Sequence, residues 1–438
     1  VGGGVNISGV VTATSFDGDV TGNINSSGIS TLSNVVVGGA TTELVVTGDA
    51  RITGILTVGT ASVTLNGTDG TITGINTING LTYPTAGALS NRNMFINGAM
   101  QVAQRGTSSS GETAGGYKTV DRFQTVISTA GTWTISQSTD APAGFSNSIK
   151  YDCTTADTSL DSTSELWITQ KIEAQNLQHL NYGTADAQDC TFSFYFKTNK
   201  TGVYTVEIFQ ADATRTIGFE MNVTQTGWER YEFIVPGDTA GTINNDNGIG
   251  LWCFIWMASG TGKTSGTFTN GSWAASTTTN RLSSSQVNFA DSTSNELYVT
   301  GYQFELGRKA TPFEHRSYGD ELERCRRYYQ KFEAEDAYTN FGIGVAYNAD
   351  QLRVNFPLRP EMRDKPSALE VSAGTDFILE KQVGATAVSS TAIMSTNVSK
   401  NYGIVVFNSD TDFDLGGAGY HVYSNNESSA YIAFYSEL

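Results

Sequence analysis

Cys190-Thr191-Phe192-Ser193-Phe194-Tyr195-Phe196 places Cys190 and three phenylalanines at alternate positions, with Thr191, Ser193 and Tyr195 between them. A period of two sends one set of side chains to each face of an extended strand, and here one face is wholly apolar. Val203-Tyr204-Thr205-Val206-Glu207-Ile208-Phe209 and Trp228-Glu229-Arg230-Tyr231-Glu232-Phe233-Ile234-Val235 alternate in the same way. The run Leu251-Trp252-Cys253-Phe254-Ile255-Trp256-Met257 is apolar on both faces, as a central strand is. All six tryptophans lie between Trp133 and Trp273, which gives this stretch the aromatic mass for a core. Many short strands with almost no helical periodicity predict an all-β fold whose centre is an antiparallel β-sandwich.

Toward the N-terminus the composition changes. A phrase of glycine, aliphatic, any residue, threonine and an apolar residue recurs at Gly9-Val10-Val11-Thr12-Ala13, Gly28-Ile29-Ser30-Thr31-Leu32, Gly54-Ile55-Leu56-Thr57-Val58 and Gly74-Ile75-Asn76-Thr77-Ile78. A period near 20 marks a stacked or wound β array. Yet Val1 to Thr82 contains no Trp, Tyr, Cys, Pro, Lys or His, and Phe16 is its single aromatic. So little apolar bulk, set against the backbone entropy of many glycines, does not close a core within one chain. Neighbouring copies would supply the missing half and cover the strand edges, which predicts an intertwined oligomeric β stem. The alternative is a flexible Gly/Ser/Thr linker. A start in mid-repeat, at Val1-Gly2-Gly3-Gly4, predicts an upstream part; it carries no Met or leader.

Among the 438 residues, 43 acidic against 26 basic side chains give a net charge of −17, which repels a nucleic acid backbone and argues against nucleic acid as a partner. No run of 18 apolar residues is present to cross a membrane as a helix. Cys153, Cys190, Cys253 and Cys325 have no CxxC spacing and are sparse for a disulfide framework, so buried reduced thiols are expected.

From Tyr318 onward, Leu322, Cys325, Tyr328, Tyr329 and Phe332 fall at helical spacing, with Asp320 and Glu321 at the start and Arg324, Arg326, Arg327 and Lys331 toward the end. That charge order suits the helix macrodipole and predicts a helix over 317–333, with Leu322 and Tyr329 buried on one face. Beyond it, Gly342 to Tyr347, Gln351 to Phe356, Tyr402 to Phe407 and Ser429 to Tyr435 read as strands of a small terminal β domain.

Candidate sites are few. With His179, His315 and His421 alone, and no Gly-x-Ser-x-Gly elbow, no Ser-His-Asp set assembles, so no catalytic residue is assigned. Gly260-Thr261-Gly262-Lys263-Thr264 fails as a phosphate loop, because Met257 stands where the pattern needs glycine. Asp410-Thr411-Asp412-Phe413-Asp414 begins like a calcium loop, but Leu415 replaces the turn glycine and His421 the closing glutamate, so no metal and no cofactor is assigned. Sugar recognition stacks ring faces on aromatics and satisfies hydroxyls with Asp, Asn or Arg. Trp252 and Trp256 share one face of so apolar a strand that core membership is expected, whereas Trp273, in Asn270-Gly271-Ser272-Trp273, has a loop setting. In the terminal domain Tyr402, Tyr420 and Tyr423 accompany Asp410 and Asp412 around Gly416-Gly417-Ala418-Gly419. Ligand contact is therefore expected at Tyr402, Asp410, Asp412, Tyr420, Tyr423 and Trp273.

Phe192 to Lys197, Gly227-Trp228-Glu229-Arg230-Tyr231 and Tyr298 to Gly307 resemble the jelly-roll frame of carbohydrate-binding-module-like domains. Asn93-Met94-Phe95-Ile96-Asn97-Gly98-Ala99-Met100-Gln101-Val102-Ala103-Gln104-Arg105-Gly106-Thr107, with Asp121-Arg122-Phe123, Glu305-Leu306-Gly307 and Ala310 to Arg316, resembles phage tail-fibre proteins that carry this jelly roll. The phrases Thr14-Ser15-Phe16-Asp17-Gly18 and Gly28 to Leu32 are similar to those of fibres from marine phages infecting cyanobacteria. The resemblance implies a homotrimer in the virion, assembled in the host cytoplasm beside other tail proteins. It would attach to a host polysaccharide or outer-membrane receptor without catalysis; a polysaccharide-degrading tailspike and a structural spacer are the alternatives. The implied organisation is a stem at 1–82, a linker at 83–92, a jelly roll at 93–316, a connecting helix at 317–333 and a β tip at 334–438.

Overall fold

The computed structural model describes residues 91–380, 398–409, 413, 415 and 419–438, together with the backbone of short strands within 55–82 and 385–394. The chain forms two compact units, Val1–Ile75 and Asn76–Leu438. In the first, Ile55–Thr57, Thr64–Asn66 and Ile72–Thr73 pair antiparallel in that order. Two of the four repeated phrases thus fall on described strands, at Ile55–Thr57 and at Thr77–Ile78, while those at Gly9 and Gly28 lie outside the described residues.

The second unit is built on the expected antiparallel sandwich. One sheet has six strands in the order Glu229–Val235, Cys190–Thr198, Glu296–Leu306, Ser148–Thr155, Thr132–Ser138 and Ser108–Glu112. The other has seven, in the order Ala274–Ala275, Arg215–Val223, Gly202–Gln210, Ile249–Ser259, Glu165–Glu173, Gln124–Ser128 and Gly116–Tyr117. The chain passes repeatedly from one sheet to the other, the jelly-roll way of burying two alternating faces on each other. Cys190, Phe192, Phe194 and Phe196 point into the shared core beside Phe95, Tyr302 and Phe304. Phe95 meets Tyr302 at 4.9 Å between ring centroids, and Phe192 meets Tyr302 at 4.8 Å. Gly301, at φ +66°, sits in the register shift between Ser193 and Tyr195, where a Cβ would lie 2.8 Å from the Tyr195 ring.

Ile249–Ser259 is the middle strand of the larger sheet, as its double apolar face predicts. Leu251, Cys253, Ile255 and Met257 enter the sandwich core, while Phe254 and Trp256 join Trp167 and Leu282 in a separate cluster on the outside. All four cysteines are free and buried, as expected, and burial pushes the thiol of Cys153 up to about 11.

The connecting helix is shorter than the sequence predicts. It spans Tyr318–Arg326, and Tyr329–Glu333 is a strand paired with Tyr431–Tyr435, so the helix expected over 317–333 is corrected. Tyr329 is buried as predicted, but from the strand; Leu322 stays half-buried. Pairing with a strand a hundred residues away overrides helical spacing that was real only as far as Cys325. Ser317 Oγ caps the helix by accepting from the Asp320 amide at 3.2 Å.

The terminal domain packs a three-stranded sheet, Tyr329–Glu333, Tyr431–Tyr435 and Ala368–Val371, against one face of a seven-stranded sheet. The latter runs Ala385–Ala387, Phe377–Glu380, Gly419–Ser424, Asn340–Asn348, Gln351–Pro357, Tyr402–Asn408 and Ser390–Met394. All four predicted terminal strands are present within these sheets.

Candidate functional site

Tyr402 opens the Tyr402–Asn408 strand opposite Pro357, and Gly403 beside it turns inward against Phe434. Alternation therefore turns Tyr402 outward, where it is 45% exposed. Its ring lines an open cleft of about 480 Å³ with Asn355, Pro357, Leu358, Arg359, Glu361 and Asn401. Backbone bonds fix the shape: the Leu358 amide donates to the Asn401 carbonyl at 2.8 Å, and the Met362 amide to the Lys400 carbonyl at 2.9 Å. Gln330 ties the Arg359-Pro360 turn to the core, accepting from the Arg359 amide at 2.9 Å and donating to the Pro360 carbonyl at 2.8 Å. A second open cleft of about 440 Å³, lined by Asp320, Glu323, Arg324, Arg327, Pro360 and Glu361, shares that turn.

The other expected ligand residues do not gather here. Tyr420 is 5% exposed, its ring edge-on to Phe413 at 5.1 Å inside the tip core. Tyr423 is half-buried on the outer sheet face and stacks on His421 at 5.6 Å. Asp410 and Asp412 lie outside the described residues. Trp273 packs against the sandwich core, edge-on to Tyr182 at 6.0 Å, and donates its indole N–H to the Pro236 carbonyl at 2.6 Å. Among the described residues no cluster of His, Cys, Asp and Glu has the form of a metal site.

Sequence reading passed over two features. Asn355, Arg359, Glu361 and Asn401 carry no motif; only strand pairing brings 355–361 beside 401–402. The second feature is the outer face of the larger jelly-roll sheet. Registers align Lys171, Trp252 and Phe209 in one row, Gln124, Thr169, Phe254 and Glu207 in the next, and Val126, Trp167, Trp256 and Thr205 in a third. Arg281 covers part of this face: its guanidinium donates to both Glu207 carboxylate oxygens, at 2.7 and 2.8 Å, and lies 5.2 Å from the Trp256 ring centroid. Glu207 also accepts from Thr216 Oγ1 and Trp256 Nε1, so its fully buried charge is satisfied. Trp252, Phe209 and Val126 remain partly open. The Trp252 indole N–H and Gln124 Oε1 have neither a protein hydrogen-bond partner nor solvent exposure of their own, so what this half-open shelf presents is aromatic. Lys171 stands over the Trp252 ring at 4.4 Å, and burial, aided by nearby Arg122, pulls its ammonium down to about 8.

The residues that carry the fibre-like resemblance build neither surface. Asn93 Oδ1 accepts from the Phe95 and Phe304 amides, while its Nδ2 donates to the Tyr302 carbonyl. Asn97 bonds both ways with Val102, and the Glu321 carboxylate accepts from the Asn97 amide at 2.7 Å. Glu305 accepts from the amide and hydroxyl of Thr311. Arg122, wholly buried, pairs with Glu437 and stacks on Tyr328 at 3.4 Å. These side chains close the sandwich and weld it to the tip. His315, in the turn before Arg316, is exposed and packs on Phe145 and Phe313.

No protein-family model and no curated protein matches the chain. Solved structures similar to it include the enzymatically active domain of bacteriophage CBA120 tailspike protein 4, at 12% identity and a TM-score of 0.25 over 49% of this chain and 21% of that one. The CBM22-1 xylan-binding domain from Paenibacillus barcinonensis Xyn10C matches at 9% identity and a TM-score of 0.24, over 46% of this chain and 94% of the module. TmCBM61, solved with β-1,4-galactotriose, matches at 11% identity and a TM-score of 0.22, over 50% of this chain and all of the module. The chain thus spans about a fifth of the tailspike domain. Scores this low carry no argument, so the fold stands on the strand registers above.

Proposed function

We propose that this chain is the distal part of a phage tail fibre, a homotrimer that attaches to the host surface by binding glycan without cleaving it. The observation supporting the binding step is the tip cleft. Tyr402 offers an exposed ring for an apolar sugar face, and Asn355, Asn401, Arg359 and Glu361 supply donors and acceptors for hydroxyls. One shallow open cleft binds weakly; three on one fibre, engaged together, gain avidity. The stem phrases and the fibre-like jelly-roll residues support the virion setting, with other tail proteins as partners.

Tyr402→Ala removes the ring without touching the core. At low receptor density, where avidity cannot mask the loss, the folded variant is expected to bind host cells at least several-fold more weakly than the parent. Undiminished binding would move recognition to the jelly-roll shelf at Trp252. No binding by the parent would leave a structural spacer.

One observation favours a second reading. Asp320, Glu323 and Glu361 line the adjoining cleft, and carboxylates flanking a cleft are what glycoside hydrolysis uses. New reducing ends on incubation with host envelope polysaccharide would establish that reading in place of simple adhesion.

A further inference from the structure

The outer face of the seven-stranded tip sheet carries an exposed apolar strip along its Asn340–Asn348 strand. Along Asn340–Asn348, Gly344 turns inward with no room for a side chain, a Cβ there lying 2.7 Å from Leu352, and Ala346 packs on the tip core. Ile343, Val345 and Tyr347 therefore turn outward, with exposures of 60, 61 and 59%. The registers continue the surface across neighbouring strands: Val345 sits beside Arg353 and Gly419, Arg353 beside Val406, and Asn355 beside Ile404. Tyr402 and its cleft lie one row further, at the end of the sheet. On the next strands Ile404 is half-buried and Val406 buried, so the open patch is the row Ile343, Val345 and Tyr347, an exposed apolar cluster of the kind that marks an interaction surface.

We propose that this face is a self-association surface, covered by the equivalent faces of the other copies of this chain around a shared three-fold axis. Charge is the first argument. The protein carries −17, so two copies repel wherever their carboxylates meet. Among the described residues the central rows, Ile343 with His421 and Val345 with Arg353 and Val406, contain no carboxylate, and Glu380, opposite His421 on a flanking strand, lies at their margin. The single strong charge within the rows, Arg353, lies 3.4 Å from the Tyr347 ring centroid, which disperses it over an aromatic face. Its Nε has no hydrogen-bond partner and no solvent exposure of its own.

The second argument decides the occupant. Residues 1–82 have the strand-forming pattern but not the side chains to close a core alone, which on the oligomeric reading sets copies of this chain alongside one another. In a closed three-fold assembly copies of one patch meet at the axis, and an apolar, charge-poor sheet face suits burial there. This inference rests on the oligomeric reading of the stem, and it leaves Asn355, at the edge of the strip, to the tip cleft.

All native thiols are buried, so a cysteine introduced on the surface reports alone. The full chain carrying Val345→Cys, treated with a short bis-maleimide, is expected to run as a covalent dimer beside a residual single chain, since the reagent joins two of three copies. Ile234→Cys, exposed on the edge strand Glu229–Val235 of the jelly roll, is expected to stay at the single-chain mass. The Tyr347→Cys variant guards against a position too far from the symmetry axis for the reagent. Equal cross-linking of jelly-roll and tip variants, or none at either tip position while a monofunctional maleimide labels both, overturns the assignment of this face. A single-chain mass for the untreated parent by light scattering overturns the oligomeric reading as well.

Discussion

Asp121 shows how a residue picked out by motif acquires its role from its surroundings. It is wholly buried, and its two carboxylate oxygens accept from the Gln104 amide and side chain. Burial outweighs nearby Arg105 and lifts its pKa from 3.8 to about 6. Between those values the folded chain holds a proton that the unfolded chain has released, so stability falls as pH rises through this window. Relative to an Asp121→Asn variant, the parent is expected to lose up to about 3 kcal/mol between pH 4 and 6, from a shift of about two units. Parallel stability curves for the two proteins would show that Asp121 does not titrate there. Gly98 is similarly fixed by context, because a Cβ would lie 2.2 Å from the Tyr302 carbonyl oxygen.

At the scale of elements, the helix and the strand after it separate two residues that sequence spacing puts on one face. Tyr329 is buried on the strand, its ring 3.7 Å from the Arg105 guanidinium and its hydroxyl donating to Glu370 at 2.9 Å. Tyr329→Ala is expected to cost about 3–5 kcal/mol, the usual range for a buried aromatic. Leu322 is half-buried on the helix, so Leu322→Ala is expected to cost about 1 kcal/mol. Equal losses in urea denaturation would put both side chains in one core and contradict the short helix.

The jelly roll and the tip fall in one compact unit, and buried charge joins them. Glu437, near the end of the tip, pairs with Arg122 and Arg105 of the jelly roll. Arg363 of the tip donates to the Asn247 carbonyl at 2.9 Å, and Lys171 donates to the Leu438 carbonyl at 2.5 Å. Glu173 completes the junction from the other side, accepting from Arg327 and Tyr328. Burial opposes its charge, yet those hydrogen bonds hold its carboxyl below the ordinary range. Glu437→Gln leaves the Arg122 guanidinium buried without its counter-charge, for which the expected cost is about 3–5 kcal/mol. The measurement is a melt followed by tryptophan fluorescence, which reads the jelly roll, and by far-UV circular dichroism, which reads both parts. A parent-like melt would mean the pair contributes nothing net.

Local alternation was enough to read the all-β class, the sandwich strands, the central position of Ile249–Ser259 and the four terminal strands, because a period of two is written in neighbouring residues. Cysteine spacing was likewise enough to expect free, buried thiols. Where the helix stops, which tyrosines face water and which residues share the tip cleft were decided by pairing between segments far apart in the chain, as when Tyr329 meets Tyr435 and Pro357 meets Tyr402. The same limit explains Trp273 and Tyr420: a loop-like composition says nothing about what packs over a ring, and here Tyr182 and Phe413 do. Sequence spacing fixes the face of a strand on which a side chain lies, but only the fold decides what lies against that face.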